Sequence, residues 1–430
     1  MPWYAINTSH MITSLRASIP QVKQVWLADD SAGGGSIESL YQWYKSLCEE
    51  GRKFGYIVNG AKSWLIVKTS ELAESAKKVF GDEVNITLEG RRLLSAVIGS
   101  KEFKDQYCQE KVDKWLREME SLAEISKSQP HAAYVAFTKG FKSKFTYYLS
   151  TPESFEEYVD PIEEVIHTSF LPSLFGRAEQ GGIGIPDLRC ESLEQFNASL
   201  DITAPHVNSI VTQSSIIRAR ELMEERKCEI NAKRRAAAKS RIERIDESLS
   251  PDLLQAVQQT RDKGASSWLN AIPIEERGLA LNKQEFRDSV CLRYNLPLPN
   301  LPSYCACGEM FTVNHALSCK KGGFVAQRHD TIQDLLTSHI SKVCRNVETE
   351  PLLQPLDNEV FNLQSTVTSR EARLDMKAGG FWTPGVTALF AVRVTYVNSR
   401  SNQGKHTATI FREQENKKKR KYNQRVMDVS

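Results

Sequence analysis

Three short stretches of this 430-residue chain carry residue types that could do chemistry. The first is Val22-Lys23-Gln24-Val25-Trp26-Leu27-Ala28-Asp29-Asp30, followed by Ser31-Ala32-Gly33-Gly34-Gly35. An apolar strand runs into two adjacent carboxylates, which repel each other unless something positive sits against them. A divalent cation held by carboxylate oxygen is one such partner. Metals on paired Asp residues are the apparatus of two-metal nucleotidyl transfer. Asp and Gly are also ordinary turn residues, so an Asp-rich hairpin turn stands beside the metal reading. The second stretch is Cys305-Ala306-Cys307-Gly308, then His315 and Cys319, in CxC-x7-H-x3-C order. Three thiols and an imidazole match the donor set of tetrahedral Zn²⁺. Gly308 permits a tight turn after the first pair, and one helical turn could aim both His315 and Cys319 at a metal. The alternative is three buried thiols and an unrelated histidine. The third stretch is Arg373-Leu374-Asp375, with Asp375 at a strand end. After a Gly379-Gly380 turn comes the strand Val386 to Val394, which contains Ala391 and Arg393.

The elements around Asp29 and Asp30 follow from local pattern. Ser36 is placed to cap a helix, with Glu38 in the first turn against the dipole. Ile37, Leu40, Tyr41, Tyr44, Leu47 and Cys48 recur at helical spacing and form one apolar face. Gly51 and Gly55 end that helix. Residues 56–68 read as strand, Asn59-Gly60 turn, strand, which predicts a hairpin carrying Lys62.

Strand, Asp-Asp, helix and Lys-bearing hairpin, in that order, resemble the palm of a reverse transcriptase. Ala28-Asp29-Asp30 is similar to the family's aromatic-x-Asp-Asp motif, with Leu27 in the aromatic position. Asn59-Gly60-Ala61-Lys62-Ser63 is similar to the next motif, whose Lys lies near the departing pyrophosphate. Leu93-Leu94-Ser95-Ala96-Val97-Ile98-Gly99 falls where the primer-grip hairpin stands, and Gly181-Gly182-Ile183-Gly184-Ile185-Pro186-Asp187 resembles a thumb segment of non-LTR retrotransposon polymerases. The resemblance implies catalytic roles for Asp29, Asp30 and Lys62, with Mg²⁺ or Mn²⁺ on Asp29 and Asp30. It also implies an RNA template and a DNA primer or target as partners. The family needs a further upstream Asp to hold both ions. The residues before Asp29 contain no Asp or Glu, and Met1-Pro2-Trp3-Tyr4-Ala5-Ile6 resembles the helix that follows the template-contacting Gln-Gly motif. The expectation is therefore an N-terminally truncated polymerase that cannot extend a primer alone.

Beyond residue 100 the pattern turns helical. Val112, Trp115, Leu116, Met119 and Leu122 mark one face. From His131 to Tyr148, Phe137, Phe141, Phe145 and Tyr148 interleave with Lys139, Lys142 and Lys144. Such interleaving suits stacking plus phosphate contact with a nucleic-acid strand. It equally describes a core helix with solvated lysines. Ile216 to Ser248 reads as a long charged helix, and its basic excess peaks at Lys233, Arg234, Arg235, Lys239, Arg241 and Arg244. This is the best phosphate-tracking stretch, or else a solvated helix with pairs such as Glu229 and Lys233. Pro251 is expected to close the block.

A Cys-Cys-His-Cys cluster behind a polymerase resembles non-LTR elements whose nuclease is of restriction type. The following region extends that likeness. Arg328-His329-Asp330 opens a predicted helix whose apolar-leaning face is Ile332, Leu335, Leu336, His339 and Ile340. In a PD-(D/E)xK nuclease, an Asp at one strand end is joined by a carboxylate and a Lys on the next strand. Asp375 matches the first position, Ala391 stands where the second carboxylate belongs, and Arg393 stands for the Lys. Ala cannot ligate Mg²⁺, and Arg is a poor proton acceptor, so this catalytic site reads as degenerate. The alternative is that Asp375 simply ends a hairpin strand.

Composition is ordinary for globular protein: 40% hydrophobic, 25% charged, net charge +3. Nine cysteines, mostly isolated, argue for reduced thiols and an intracellular setting, nucleus or cytoplasm. There is no clear signal peptide, and no apolar run reaches membrane-spanning length. The tail Lys417-Lys418-Lys419-Arg420-Lys421 reads as a localisation signal or a phosphate-binding arm. The fold expected is multidomain α+β. It comprises a partial reverse-transcriptase palm (1–100), a helical thumb (101–200), a helical basic linker (201–300), a zinc knuckle (301–325), a restriction-endonuclease-like α/β domain (326–412) and a basic tail (413–430). Two functions are expected to compete: an RNA-directed DNA polymerase fragment, and a non-catalytic nucleic-acid-binding remnant with a degenerate endonuclease domain.

Overall fold

A computed structural model of the chain describes residues 2–427 apart from 28–29, 94–95, 154, 176–184, 186, 215, 322 and 354–372, with backbone alone at 2–5 and 424–427. The chain is mixed helix and sheet, and it divides into two units, Met1–Leu296 and Pro297–Ser430.

In the first unit, helix α1 (Pro2–Ser18) leads into an antiparallel hairpin, β1 (Lys23–Leu27) and β2 (Asp30–Gly34), with Leu27 opposite Asp30. This pair is a two-stranded sheet by itself. The glycine run has a steric reason. A Cβ on Gly33 would meet Val22 at 3.0 Å and Trp43 at 3.1 Å, so glycine lets the hairpin lie against α2 (Ile37–Lys53). Ser36 caps α2 by accepting the Ser39 N–H. Met11, Leu15, Ile19, Val22, Trp43 and Leu47 form the core beneath. Trp43 lies off the apolar face read from the sequence.

The expected hairpin at residues 56–68 is not formed. Asn59 instead caps a 3₁₀ turn, Gly60–Lys62, by accepting the Lys62 N–H. Strand β3 (Trp64–Ile66) then crosses over through α3 (Ser70–Phe80) to pair in parallel with β4 (Asn85–Thr87). The Asn side chain that would have turned a hairpin is used as a helix cap, and a crossover helix makes the parallel pairing possible. Strands β5 (Gly90–Leu93) and β6 (Ala96–Gly99) do form an antiparallel hairpin. Leu94 and Ser95 lie outside the described residues.

The main core is helical. Helix α4 (Lys101–Ser126) packs with α5 (Pro130–Ala136), a π-turn at Phe137–Phe141, α6 (Lys142–Leu149), α7 (Asp160–Val165), a second π-turn at Ile166–Phe170 and α8 (Leu171–Phe175). Trp115 meets Phe145, Tyr148 and Phe155 edge-on. Phe137, Phe145 and Tyr148, read as alternatives of core and stacking platform, are buried in this core. Gly181–Gly184 and Pro186 of the thumb-like segment lie outside the described residues, while Asp187 caps α9 (Leu188–Thr212). Helix α10 (Ile216–Ser248) runs antiparallel to α9. Arg226 reaches the Asp201 carbonyl and Arg234 reaches Gln195. Pro251 opens α11 (Pro251–Thr260) rather than closing a block, because its missing N–H costs nothing in a first turn. Helix α12 (Lys283–Arg293) returns to the helical core through Phe286 and Val290.

In the second unit a small hairpin at residues 303–311 precedes α13 (Val313–Ala316) and α14 (Phe324–Ile340). Helix α14 starts four residues before the expected Arg328. An antiparallel sheet follows in the order β7 (Arg345–Thr349), β8 (Met376–Gly379), β9 (Thr387–Phe390), and α15 (Thr407–Met427) closes the unit. Its core cluster is small: Ile340, Met376 and Ala378.

One buried group makes the first unit pH-sensitive. His131 is buried, its Nδ1 accepts the Leu281 N–H at 3.3 Å, and its ring stacks on Phe286. Nε2 has no partner in hydrogen-bond geometry among the described residues. Burial pushes the imidazole pKa down, and the nearby Trp268 and Ala271 carbonyls offset this only in part. A folded pKa below the unfolded value of about 6.5 gives stability that is present above pH 6.5 and lost as pH falls below it. We predict that the melting temperature declines from pH 8 to pH 5.5, and that His131→Gln makes the acid-side decline shallower. Equal slopes for the two proteins would refute the assignment.

Candidate metal centre and acidic cluster

Cys305, Cys307, His315 and Cys319 converge. Their donor atoms all lie within 4.8 Å of one another. The local sequence explains why. Cys305 N–H donates to the Glu309 carbonyl, and Gly308 N–H donates to the Cys305 carbonyl. Gly308 makes this turn at φ +90°, a conformation that side-chain-bearing residues rarely adopt. Tyr304 and Met310 bridge across the small hairpin. Thr312 then caps α13 by accepting the His315 N–H, and the Cys319 N–H donates to the His315 carbonyl at 2.7 Å. That last helical turn brings His315 and Cys319 to the Cys305–Cys307 turn.

The distances fit a tetrahedral ion. Cys305 Sγ and Cys319 Sγ are 3.8 Å apart, the edge expected for two sulfurs each about 2.3 Å from one metal. Cys307 Sγ lies 3.1 Å from His315 Nε2. That Sγ–Sγ separation of 3.8 Å is far beyond a disulfide bond, and all three cysteines are free of one. The Glu309 N–H lowers the Cys307 thiol pKa, but burial and the adjoining Cys305 and Cys319 thiols raise it overall. Thiolates this close need a cation among them. The set could hold a metal ion, and its donors are compatible with zinc. Among the described residues, no other grouping of three or more Cys, His, Asp or Glu has this geometry.

The Asp30 side chain is exposed at the start of β2, and Asp29 lies outside the described residues. Lys62 ends its 3₁₀ turn, also exposed. Lys139 and Lys144 are on the outer face of the helical core. Lys144 pairs with Glu118 at 2.8 Å, and Lys142 is half-buried. On α10, Lys233, Arg235, Lys239 and Arg241 are exposed, Lys239 lies 3.8 Å from Glu243, Arg241 lies 3.9 Å from Glu194, and Arg234 is committed to Gln195. No helix among the described residues is long and apolar enough to cross a membrane.

Asp375 immediately precedes β8, and its N–H donates to the Phe390 carbonyl, so Ala391 begins the stretch opposite it. Its carboxylate is surrounded by donors. Val392 N–H reaches Oδ2 at 2.5 Å, Lys418 Nζ reaches the same oxygen at 3.1 Å, and His329 Nε2 lies 3.2 Å from Oδ1. Gln333 donates to the Asp375 carbonyl. Sequence reasoning placed Lys418 in a basic tail, read as a localisation signal or a phosphate-binding arm, and His329 at a helix start. Neither long-range contact has a local sequence signal, because 43 residues separate Asp375 from Lys418. Among the described residues, no second carboxylate joins Asp375: the position across from it is Ala391, and Arg393 lines the neighbouring cavity.

No family model matches the chain, no curated protein is significantly similar to it, and no solved structure matches it.

Two outcomes follow from this geometry. Carefully purified protein should contain one equivalent of zinc by elemental analysis. His315→Ala, which removes a direct ligand, should weaken metal retention by more than the roughly 10–100-fold seen for outer-shell changes. Stoichiometric metal-free protein with native circular dichroism would remove the metal assignment. Separately, Asp375→Ala leaves Lys418, whose side chain is 19% exposed, without its partner. It should cost about 1–3 kcal/mol of unfolding free energy, as for the loss of a hydrogen bond to a charged group. Lys418→Met should show a similar loss that is not additive with it. Additive losses would mean that the two residues do not act as a pair.

Proposed function

We propose that this chain is a nucleic-acid-binding protein descended from a non-LTR retrotransposon reverse transcriptase, and that the 430-residue chain by itself neither polymerises nor cuts. The observation that carries the reading is the convergence of Cys305, Cys307, His315 and Cys319 into one tetrahedral donor set, the geometry of a zinc knuckle. Exposed basic residues on α10 supply phosphate contacts, with Lys233, Arg235 and Lys239 the principal candidates. Among the described residues, no second carboxylate of the kind metal-assisted hydrolysis uses joins Asp375. Asp375 is instead neutralised by Lys418.

A second reading keeps the parent activity, RNA-directed DNA polymerisation on Asp29, Asp30, Mg²⁺ or Mn²⁺, and Lys62. It is favoured by Asp30, whose carboxylate is exposed at the first residue of β2 and open to a solvent cation. Against it, residues 1–28 of this chain supply no further carboxylate. The partners under either reading are an RNA template and a DNA primer or target. The first reading uses them as binding ligands only.

Two measurements separate the readings. By fluorescence anisotropy, the protein should bind a primed RNA template. The triple substitution Lys233→Glu, Arg235→Glu, Lys239→Glu should weaken binding across sequences and lower the salt slope by about one unit for each phosphate-binding cation it removes. In primer extension with Mg²⁺ or Mn²⁺ the same protein should incorporate no dNTP. Incorporation that Asp29→Asn abolishes would establish the polymerase reading. Absence of any nucleic-acid binding would sink the first.

A further inference from the structure

Beside the Asp375 cluster, a cavity of about 720 Å³ lies against β9 and α15, within the roughly 300–1,000 Å³ of small-ligand pockets. Its wall combines three kinds of group. The first is aromatic. Trp382, in the turn between β8 and β9, is 78% exposed and is braced edge-on by Phe381 at 4.6 Å between ring centroids. Phe411 of α15 is also more than half exposed. An indole this bare, on the rim of a cavity, is a platform without a covering partner among the described residues.

The second kind is cationic. Arg393, Lys418 and Lys419 line the cavity against one carboxylate, Glu415. Lys418 is held by Asp375 and Lys419 by Glu415 at 2.6 Å, while Arg393 forms no ion pair among the described residues. The third kind is polar: Thr395 and Gln414 line the same wall, with Thr395 Oγ1 and Gln414 Oε1 themselves enclosed behind it. Ala391 in the same wall adds no negative charge. A flat apolar platform and a guanidinium without an ion pair match two parts of a nucleotide. Its base stacks and its phosphate pairs with Arg.

We propose that this cavity receives one unstacked nucleotide of a single-stranded nucleic acid, with the base on Trp382 and the phosphate on Arg393, and without a metal ion. The inference rests on the nucleic-acid-binding reading above and adds the site and the form of the ligand. The cation that neutralises Asp375 belongs to the protein, so charge balance at the phosphate comes from Arg393 rather than from a metal bridging two carboxylates. The wall bears a net excess of positive charge, which favours a phosphodiester over a neutral base or nucleoside.

The test uses the full chain, purified without chelator, and a single-stranded DNA oligonucleotide carrying one 2-aminopurine, in buffer without added Mg²⁺. Binding should change the 2-aminopurine emission. Trp382→Ala should abolish that change, and Trp382→Ala and Arg393→Glu should each weaken binding roughly tenfold or more. Both side chains are exposed, so neither substitution threatens the fold, and Trp382→Phe should restore part of the signal. If both variants bind the strand as the wild type does, the cavity is not the site, although the nucleic-acid reading stands. If the wild type binds no strand, both readings fail. If free dAMP displaces the oligonucleotide at equal concentration, the cavity serves a free nucleotide and the strand assignment is wrong.

Discussion

The second unit stands on polar anchoring more than on apolar burial. Among the described residues its core cluster is Ile340, Met376 and Ala378, with Cys344, Val347, Phe381 and Phe390 partly buried around it, and Leu374, Ala388, Ile410 and Tyr422 are buried outside that cluster. Units with so little core generally need a metal, a disulfide or an equivalent staple to remain folded. Two such staples are visible. The Cys305, Cys307, His315 and Cys319 set ties the small hairpin to α13 and the turn after it. Asp375 ties the chain after β9, helix α14 and helix α15 to the start of β8, through Val392, His329 and Lys418.

The first unit is built the other way. Its largest cluster is aromatic and helical, with Phe137, Phe145, Phe155, Phe170 and Phe286 all fully buried. Its sheets, by contrast, are three separate two-stranded pairs. The acidic hairpin is therefore positioned by packing against α1 and α2, not by a wide ladder of strands. Glycine at position 33 permits that contact, and Val22 and Trp43 form it. A carboxylate at the end of such a hairpin is placed by the fit of one small core, and a shift in that core moves it.

The features legible in the sequence were those with local causes. Ser36 caps α2 because a hydroxyl at that point meets an otherwise orphaned N–H. The helix over Ile216–Ser248 follows from uninterrupted helix-forming residues. The metal-type cluster was legible because its four members span fifteen residues and Gly308 marks the turn between them. The failures were those that local pattern cannot decide. Asn59-Gly60 is a hairpin signal, yet Asn59 caps a short turn and β3 pairs with β4 across a helix. Pro251 breaks a helix only in the interior, and here it begins one. Trp43 was missed because α2 buries more than one face, with separate clusters on Ile37 and on Trp43 and Leu47. Lys418 sits in a basic run that reads as a localisation signal or a phosphate-binding arm, and only the folded chain brings it to Asp375.

That pairing of Lys418 with Asp375 decides what the region can do. A carboxylate has two oxygens and room for a few donors. Those of Asp375 already face a backbone N–H, an ammonium and an imidazole. A divalent ion at this point would displace Lys418 and, among the described residues, would find one carboxylate, because the neighbouring strand offers the methyl group of Ala391. With the ammonium in place, the local charge is balanced without a metal, and the remaining cation of the wall, Arg393, is left to face the cavity's contents. Guanidinium recognises phosphate by fixed hydrogen-bond geometry and does not activate water. Under the proposed reading, such a site holds a phosphodiester rather than cleaving one. Across the sheet from Asp375 stands Ala391, whose methyl group offers no oxygen to a metal ion.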